Sequence, residues 1–224
     1  MDMLISNLPN ILAGLVLMII VVYLIRDKIR VKKIGKMGDD SMSEELLVKH
    51  CAPTLVGLKT GNMFLHDFET MEDEHNSLRG INSKLAGKGI RAIPLRKFNG
   101  KTLVYVYRPS KLKKDLNNEQ AITILQNMGY FDENVNVCIR NLVKRFKENE
   151  DFPHEIGLFL GYPPEDVCGF INNSGSGYKC VGCWKVYGDA NKAKKTFDKY
   201  ERCRKVCTSL IEKGYGLEKI AVSC

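Results

Sequence analysis

Ile90 to Arg108 reads IRAIPLRKFNGKTLVYVYR, and this stretch decides the fold class. Asn99-Gly100 is the dipeptide that a two-residue type I′ hairpin turn prefers, because both central residues need positive φ. Pro94 has no N–H to give to a ladder, which places the first strand at a sheet edge. Leu103, Tyr105 and Tyr107 point one way and Val104 and Val106 the other. All five are apolar or aromatic, so the second strand is expected to be buried on both faces.

On either side of this hairpin the periodicity turns helical. Ser41, with Glu44 three residues later, fits a capping box opening a helix through Cys51, which Pro53 interrupts. Thr54 to Phe68 reads as a helical turn, a loop at Thr60 to Asn62 and a short strand. Leu78, Ile81 and Leu85 form a stripe that stops at Gly87-Lys88-Gly89. Asn117 and Gln120 cap a helix carrying Ile122, Leu125 and Met128, with Gly129 as its stop. Val135, Ile139, Leu142, Val143 and Phe146 line one face of an amphipathic surface helix. Phe152 to Ile171 (FPHEIGLFLGYPPEDVCGFI) reads as a short proline-started helix stopped by glycine, then a second helix from Pro163 or Pro164. Asn172 to Gly177 is a loop, Tyr178 to Tyr187 a strand, and Asp189 caps a long helix ending at Gly214. The expected class is α+β: a small, mostly antiparallel sheet with several helices covering one side of it, preceded by one N-terminal transmembrane helix.

That membrane helix is expected at Leu8 to Ile25, where fifteen apolar residues in a row follow from Ile11 without a charge. A cleaved signal peptide fits less well, since Asp2 stands where a basic region belongs and no small-residue cleavage site follows. Six bases against one acid come next, in RDKIRVKKIGK, so the positive-inside rule places residues 1–7 outside and the chain from residue 26 on in the cytoplasm. The organisation expected is an anchor over 8–25, a basic juxtamembrane segment and linker over 26–43, and a cytoplasmic domain over 44–224. The formal charge of +8 divides evenly: six bases against two acids in residues 1–38, and 28 against 24 in the remainder. The first half suits anionic lipid headgroups. The second is too scattered for a nucleic-acid footprint, and no nucleic-acid partner is expected. The eight cysteines would then sit in a reducing compartment, where thiols stay free, bind metal or do redox chemistry.

Cys180-Val-Gly-Cys183 and Cys203-Arg-Lys-Val-Cys207, nineteen residues apart, supply the four thiolates a tetrahedral metal site requires. The second pair equally fits the apolar face of a helix with Phe197, Tyr200 and Leu210, as small buried hydrophobes. A thioredoxin-like role for the first pair lacks a following helix to lower a thiol's pKa. His154-Glu155 follows Pro153 as an N-terminal acid would, and Leu158 stands where a zincin needs its second histidine. His154 becomes a general base only if a thiol such as Cys51 comes within reach. His50 and Cys51 are neighbours on a helix and do not face each other. Lys59 and Lys185 are single lysines in apolar settings, and Gly175-Ser-Gly177 lacks the Walker spacing.

The segments HCAPTLVGLKTGNMF (His50 to Phe64), LVYVYRPSKL (Leu103 to Leu112), FPHEIGLFLGYPPEDVCGFI and GCWKVYGD (Gly182 to Asp189) resemble, in order, the blocks of a bacterial family known as domain of unknown function 3793. The resemblance covers roughly residues 44 to 220 and not the anchor. It carries no activity, but it brings His50, Cys51, Lys59, His154, Glu155, Cys183 and Lys185 forward together. The leading expectation is therefore a membrane-tethered domain with a thiol-centred pocket of Cys51, His154, Glu155 and Cys183 that binds a metal, cofactor or small ligand. A Cys/His thiol-dependent hydrolase or transferase and a non-catalytic interaction module are the alternatives. The sequence names no particular cofactor or protein partner.

Overall fold

A computed structural model describes residues 42–132, 134–148 and 151–223. The expected anchor over 8–25 and the basic residues 26–41 lie outside the described residues. Among those described, no helix is long and apolar enough to cross a membrane.

The hairpin forms as the sequence dictates. β2 (Arg91–Phe98) and β3 (Lys101–Tyr107) pair antiparallel around Asn99 and Gly100, at φ +47° and +79°. β1 (Gly61–His66) pairs antiparallel with the other side of β3, in register from Gly61 opposite Tyr107 to His66 opposite Thr102. The order β1-β3-β2 makes β3 central and puts Pro94 on an edge strand. The ladder shifts between Pro94 and Arg96, a bulge at the residue that cannot donate. A second, two-stranded sheet joins β4 (Cys180–Val181) to β5 (Lys185–Val186), so the continuous strand expected over 178–187 is a tight hairpin turning at Gly182 to Trp184.

Helices cover both faces of the main sheet rather than one. The reason is β3, whose two faces are equally apolar. Val104 and Val106 enter a cluster with α1 (Glu44–Leu55), α2 (Met71–Leu85), α8 (Ala190–Glu212) and α9 (Leu217–Ile220). Tyr105 and Tyr107, stacked 4.7 Å apart, enter a second cluster on the other face. Its helices are α3 (Pro109–Leu116), α4 (Glu119–Asn127), α5 (Val135–Glu148), α6 (Ile156–Phe159) and α7 (Pro164–Asn172). The architecture is α+β, with the small antiparallel sheet between two helical layers.

Local chemistry sets most boundaries. Asp189 caps α8 through Asn191 and Lys192, as its position indicated. The caps of α1 and α4 fall at Ser43 and Asn118, beside the expected Ser41 and Asn117. Pro53 does not end α1, which runs on to Leu55. Arg108, a fully buried side chain, adds a second donor to carbonyls of that last turn that already accept from the Gly57 and Val222 amides. Its guanidinium donates to Thr54 O at 2.6 Å, Leu55 O at 2.6 Å, Lys88 O at 3.0 Å and Val222 O at 2.7 Å. A single arginine thus closes α1, holds the 3-10 turn Ala86–Lys88 and fastens the chain's last described segment.

Candidate functional site

Lys59 follows α1 on a tight connection in which the Leu58 and Lys59 amides both donate to Pro53 O. That wrap turns the side chain inward, where it is only 6% exposed. Next along the chain, the Thr60 hydroxyl donates to Asp115 of α3. Gly161 sits against this corner at φ +73°, and a Cβ there would stand 2.6 Å from Thr60 Oγ1. Glycine at 161 is what lets Tyr162 reach over the corner. The Lys59 ammonium lies 5.1 Å from the centre of the Tyr162 ring.

Tyr162 in turn stacks on Trp184 at 4.8 Å and donates through its hydroxyl to Cys183 O. Trp184 packs edge-on against Phe197 of α8. The short hairpin carrying Cys183 and Trp184 is held by Asp166, a buried carboxylate in the first turn of α7. Asp166 accepts from Trp184 Nε1 and from the Tyr187 and Gly188 amides, each at 2.7 Å.

Electrostatics single out Lys59 within this group. Burial, first of all, lowers its pKa to about 8; Arg204 pushes the same way, while the Cys183 and Cys51 sulfurs pull back. Those sulfurs supply little negative charge near neutral pH. Burial drives the Cys51 thiol far up, and it raises Cys183 as well, despite Lys59 and Arg204. Among the described residues, no carboxylate is one of the groups acting on the ammonium. A lysine more than nine-tenths buried, beside a second cation and two protonated thiols, is a group whose charge the described residues leave uncompensated.

Of the residues singled out in the sequence, Cys51, Lys59 and Cys183 are the ones brought together. The expected pocket of Cys51, His154, Glu155 and Cys183 is not assembled. Cys51 is buried in the Val104 cluster, whereas Glu155 belongs to the opposite side of the sheet. Glu155 accepts from Arg145 Nε at 2.6 Å and from the Tyr130 hydroxyl at 3.0 Å, so it is a buried ion-paired strut. It does not cap α6. His154 lies at the surface, edge-on to Phe170 at 5.0 Å, its pKa lowered chiefly by the protein packed beside it. His50 stacks on Phe64 at 5.2 Å. Lys185 donates to Gly175 O and lies over Tyr178 and Phe170.

The four cysteines do not converge either. Cys180 lies in β4 and Cys183 in the turn that follows it, while Cys203 and Cys207 lie along α8. Among the described residues no three His, Cys, Asp or Glu side chains form a group that could hold a metal. Sequence reasoning missed Tyr162, Trp184, Asp166 and Arg108. Their signals were present, in the GYPP and GCWKV segments and the YRP that ends β3, but only the fold shows what they face.

The family model described as protein of unknown function (DUF3793) matches residues 47–221. The chain belongs to the DUF3793 family. No curated protein and no solved structure matches it. The DUF3793 match runs from α1 to just beyond α9, so it spans every residue of the Lys59 site. Its description assigns no activity, and the functional argument rests on the geometry.

Proposed function

We propose that this DUF3793 chain is a membrane-anchored ligand-binding domain whose site is centred on Lys59 and takes a small anion through a carboxylate or phosphate group. The observation that carries the reading is the buried Lys59 ammonium, over the Tyr162 ring, on which no carboxylate acts among the described residues. A buried charge without a partner is costly, and an anionic ligand is the complement that repays the cost. Arg204, which acts on the same ammonium, adds to the positive field that would attract it.

The apolar run Leu8 to Ile25 would hold the domain at a membrane, with the basic residues 26–36 against anionic headgroups and the DUF3793 domain on the cytoplasmic side. The thiol-dependent enzyme is the weaker reading, because burial keeps Cys51 and Cys183 protonated and His154 lies against Phe170, away from Cys51. The test is thermal unfolding of the full chain against a panel of inorganic phosphate, acetate, citrate and phosphoserine. A stabilisation by one class of anion that Lys59→Met abolishes is expected. Equal responses of wild type and variant to every anion would refute the reading.

A further inference from the structure

Cys203 and Cys207 stand one turn apart on α8 with their sulfurs 4.0 Å apart. Cys207 is buried where α8 packs along α1, and Cys203 is half-buried at the rim of the same contact. Residues four apart on a helix have Cβ atoms about 5–6 Å apart. A disulfide needs roughly 3.5–4.5 Å. The helix therefore holds two thiols in contact and keeps them from joining.

We infer that Cys203 and Cys207 form a two-sulfur site for a soft monovalent metal ion of the copper(I) class. Thiolate–metal bonds run about 2.3 Å, as for zinc. Two such bonds reaching sulfurs 4.0 Å apart open an angle of roughly 120° at the ion. A spread of about 0.6 Å makes the arrangement linear, which rotation about the two side-chain torsions supplies without unwinding α8.

The chemistry of the surroundings selects the ion. Hard or tetrahedral ions need further ligands, and no third His, Cys, Asp or Glu converges with these two among the described residues. Soft thiolates favour copper(I). Both thiols are protonated at neutral pH, Cys203 being pushed up to about 12 by burial and by Cys207. Binding is then one ion plus two thiols giving a bis-thiolate complex of charge −1 and two free protons. Arg204, ion-paired with Glu201 on the same helix, acts on Cys203 with a charge of the sign that favours the complex. Among the described residues no sulfur–sulfur contact joins Cys180 to Cys183; Cys183 lies in the turn between β4 and β5, where its sulfur acts on Lys59.

The test is anaerobic titration of the reduced full chain with copper(I) buffered by bicinchoninate. Wild type should take up one equivalent that Cys203→Ser and Cys207→Ser each weaken at least tenfold. Cys180→Ser, Cys183→Ser and Lys59→Met should leave it unchanged. Two released protons require the apparent affinity to rise by about a hundredfold per pH unit below the thiol pKa values. If Cys207→Ser misfolds, the half-buried Cys203→Ser alone decides. Uptake that survives Cys203→Ser, or that follows Cys180 and Cys183, would overturn the assignment.

Discussion

The Lys59 ammonium lies 5.1 Å from the centre of the Tyr162 ring, and Tyr162 stacks on Trp184, the one tryptophan of the chain. A change at the lysine is therefore two rings away from a built-in fluorophore. It also has a measurable energetic consequence.

Lys59 titrates at about 8 in the fold against 10.5 for an ordinary lysine. Below pH 8 both folded and unfolded chains hold the proton, and the fold bears the whole cost of the buried charge. Between about pH 8 and 10.5 the unfolded chain keeps a proton that the fold has released, so stability rises with pH. The full span corresponds to about 3 kcal/mol. Lys59→Met should thus be more stable than wild type near pH 7, with the difference closing by about pH 10.5. Urea unfolding of both proteins across that range checks it, and a pH-independent difference would show that the lysine carries no buried charge. The difference removes the titration of the tyrosines, which is common to both proteins, while Cys51 and Cys183, on which the Lys59 charge acts, rise further in the variant.

Glu155 has a structural role, and its loss should show as such. Glu155→Ala should lose about 1–3 kcal/mol, since the Tyr130 hydroxyl loses its partner and Arg145, partly exposed and still donating to Met128 O, loses its carboxylate. Any stabilisation by small anions should survive in the folded fraction. Loss of the anion response without loss of stability would place Glu155 in the site after all.

Arg108 is expected to tolerate no substitution. Arg108→Lys keeps the charge but cannot present the planar fork that reaches carbonyls of Thr54, Leu55, Lys88 and Val222. A loss of about 1–3 kcal/mol is anticipated, because Lys88 O and Val222 O lose the guanidinium donor while Thr54 O and Leu55 O keep the Gly57 and Val222 amides. Thermal unfolding reads it, and near-wild-type stability for the lysine variant would contradict this role.

Asp166 positions Trp184 and the hairpin rather than the ligand. Asp166→Ala should cost about 3 kcal/mol through lost charge-assisted hydrogen bonds. Faster amide exchange over residues 178–188 and a red shift of Trp184 emission should accompany it. Unchanged exchange in that segment would mean the hairpin is held by other contacts.

The sheet was legible because its signals are local: the Asn99-Gly100 turn, Pro94 on an edge and the doubly apolar β3. The same β3 pattern held the information that both faces are covered, since Val104 and Tyr105 each need a helical layer. What the sequence could not show was direction in space. His154-Glu155 looked like chemistry because the residues are adjacent, yet Arg145, ten positions earlier on another helix, takes the glutamate into the core. Lys59 looked unremarkable alone; its meaning comes from Gly161, which lets Tyr162 close over it, and from the described residues bringing no carboxylate to act on it. Family blocks pointed to Cys51, Lys59 and Cys183 together but could not separate them from His154.

The central claim is that the Lys59 charge awaits an anion, and Trp184 emission of the full chain during titration with inorganic phosphate and with acetate tests it most directly. The account predicts a saturable change for one of them in wild type, weakened at pH 9.5 as Lys59 loses its proton and absent in Lys59→Met. A saturable change of the same size and midpoint in Lys59→Met, or none with either anion in wild type at pH 7, would contradict it.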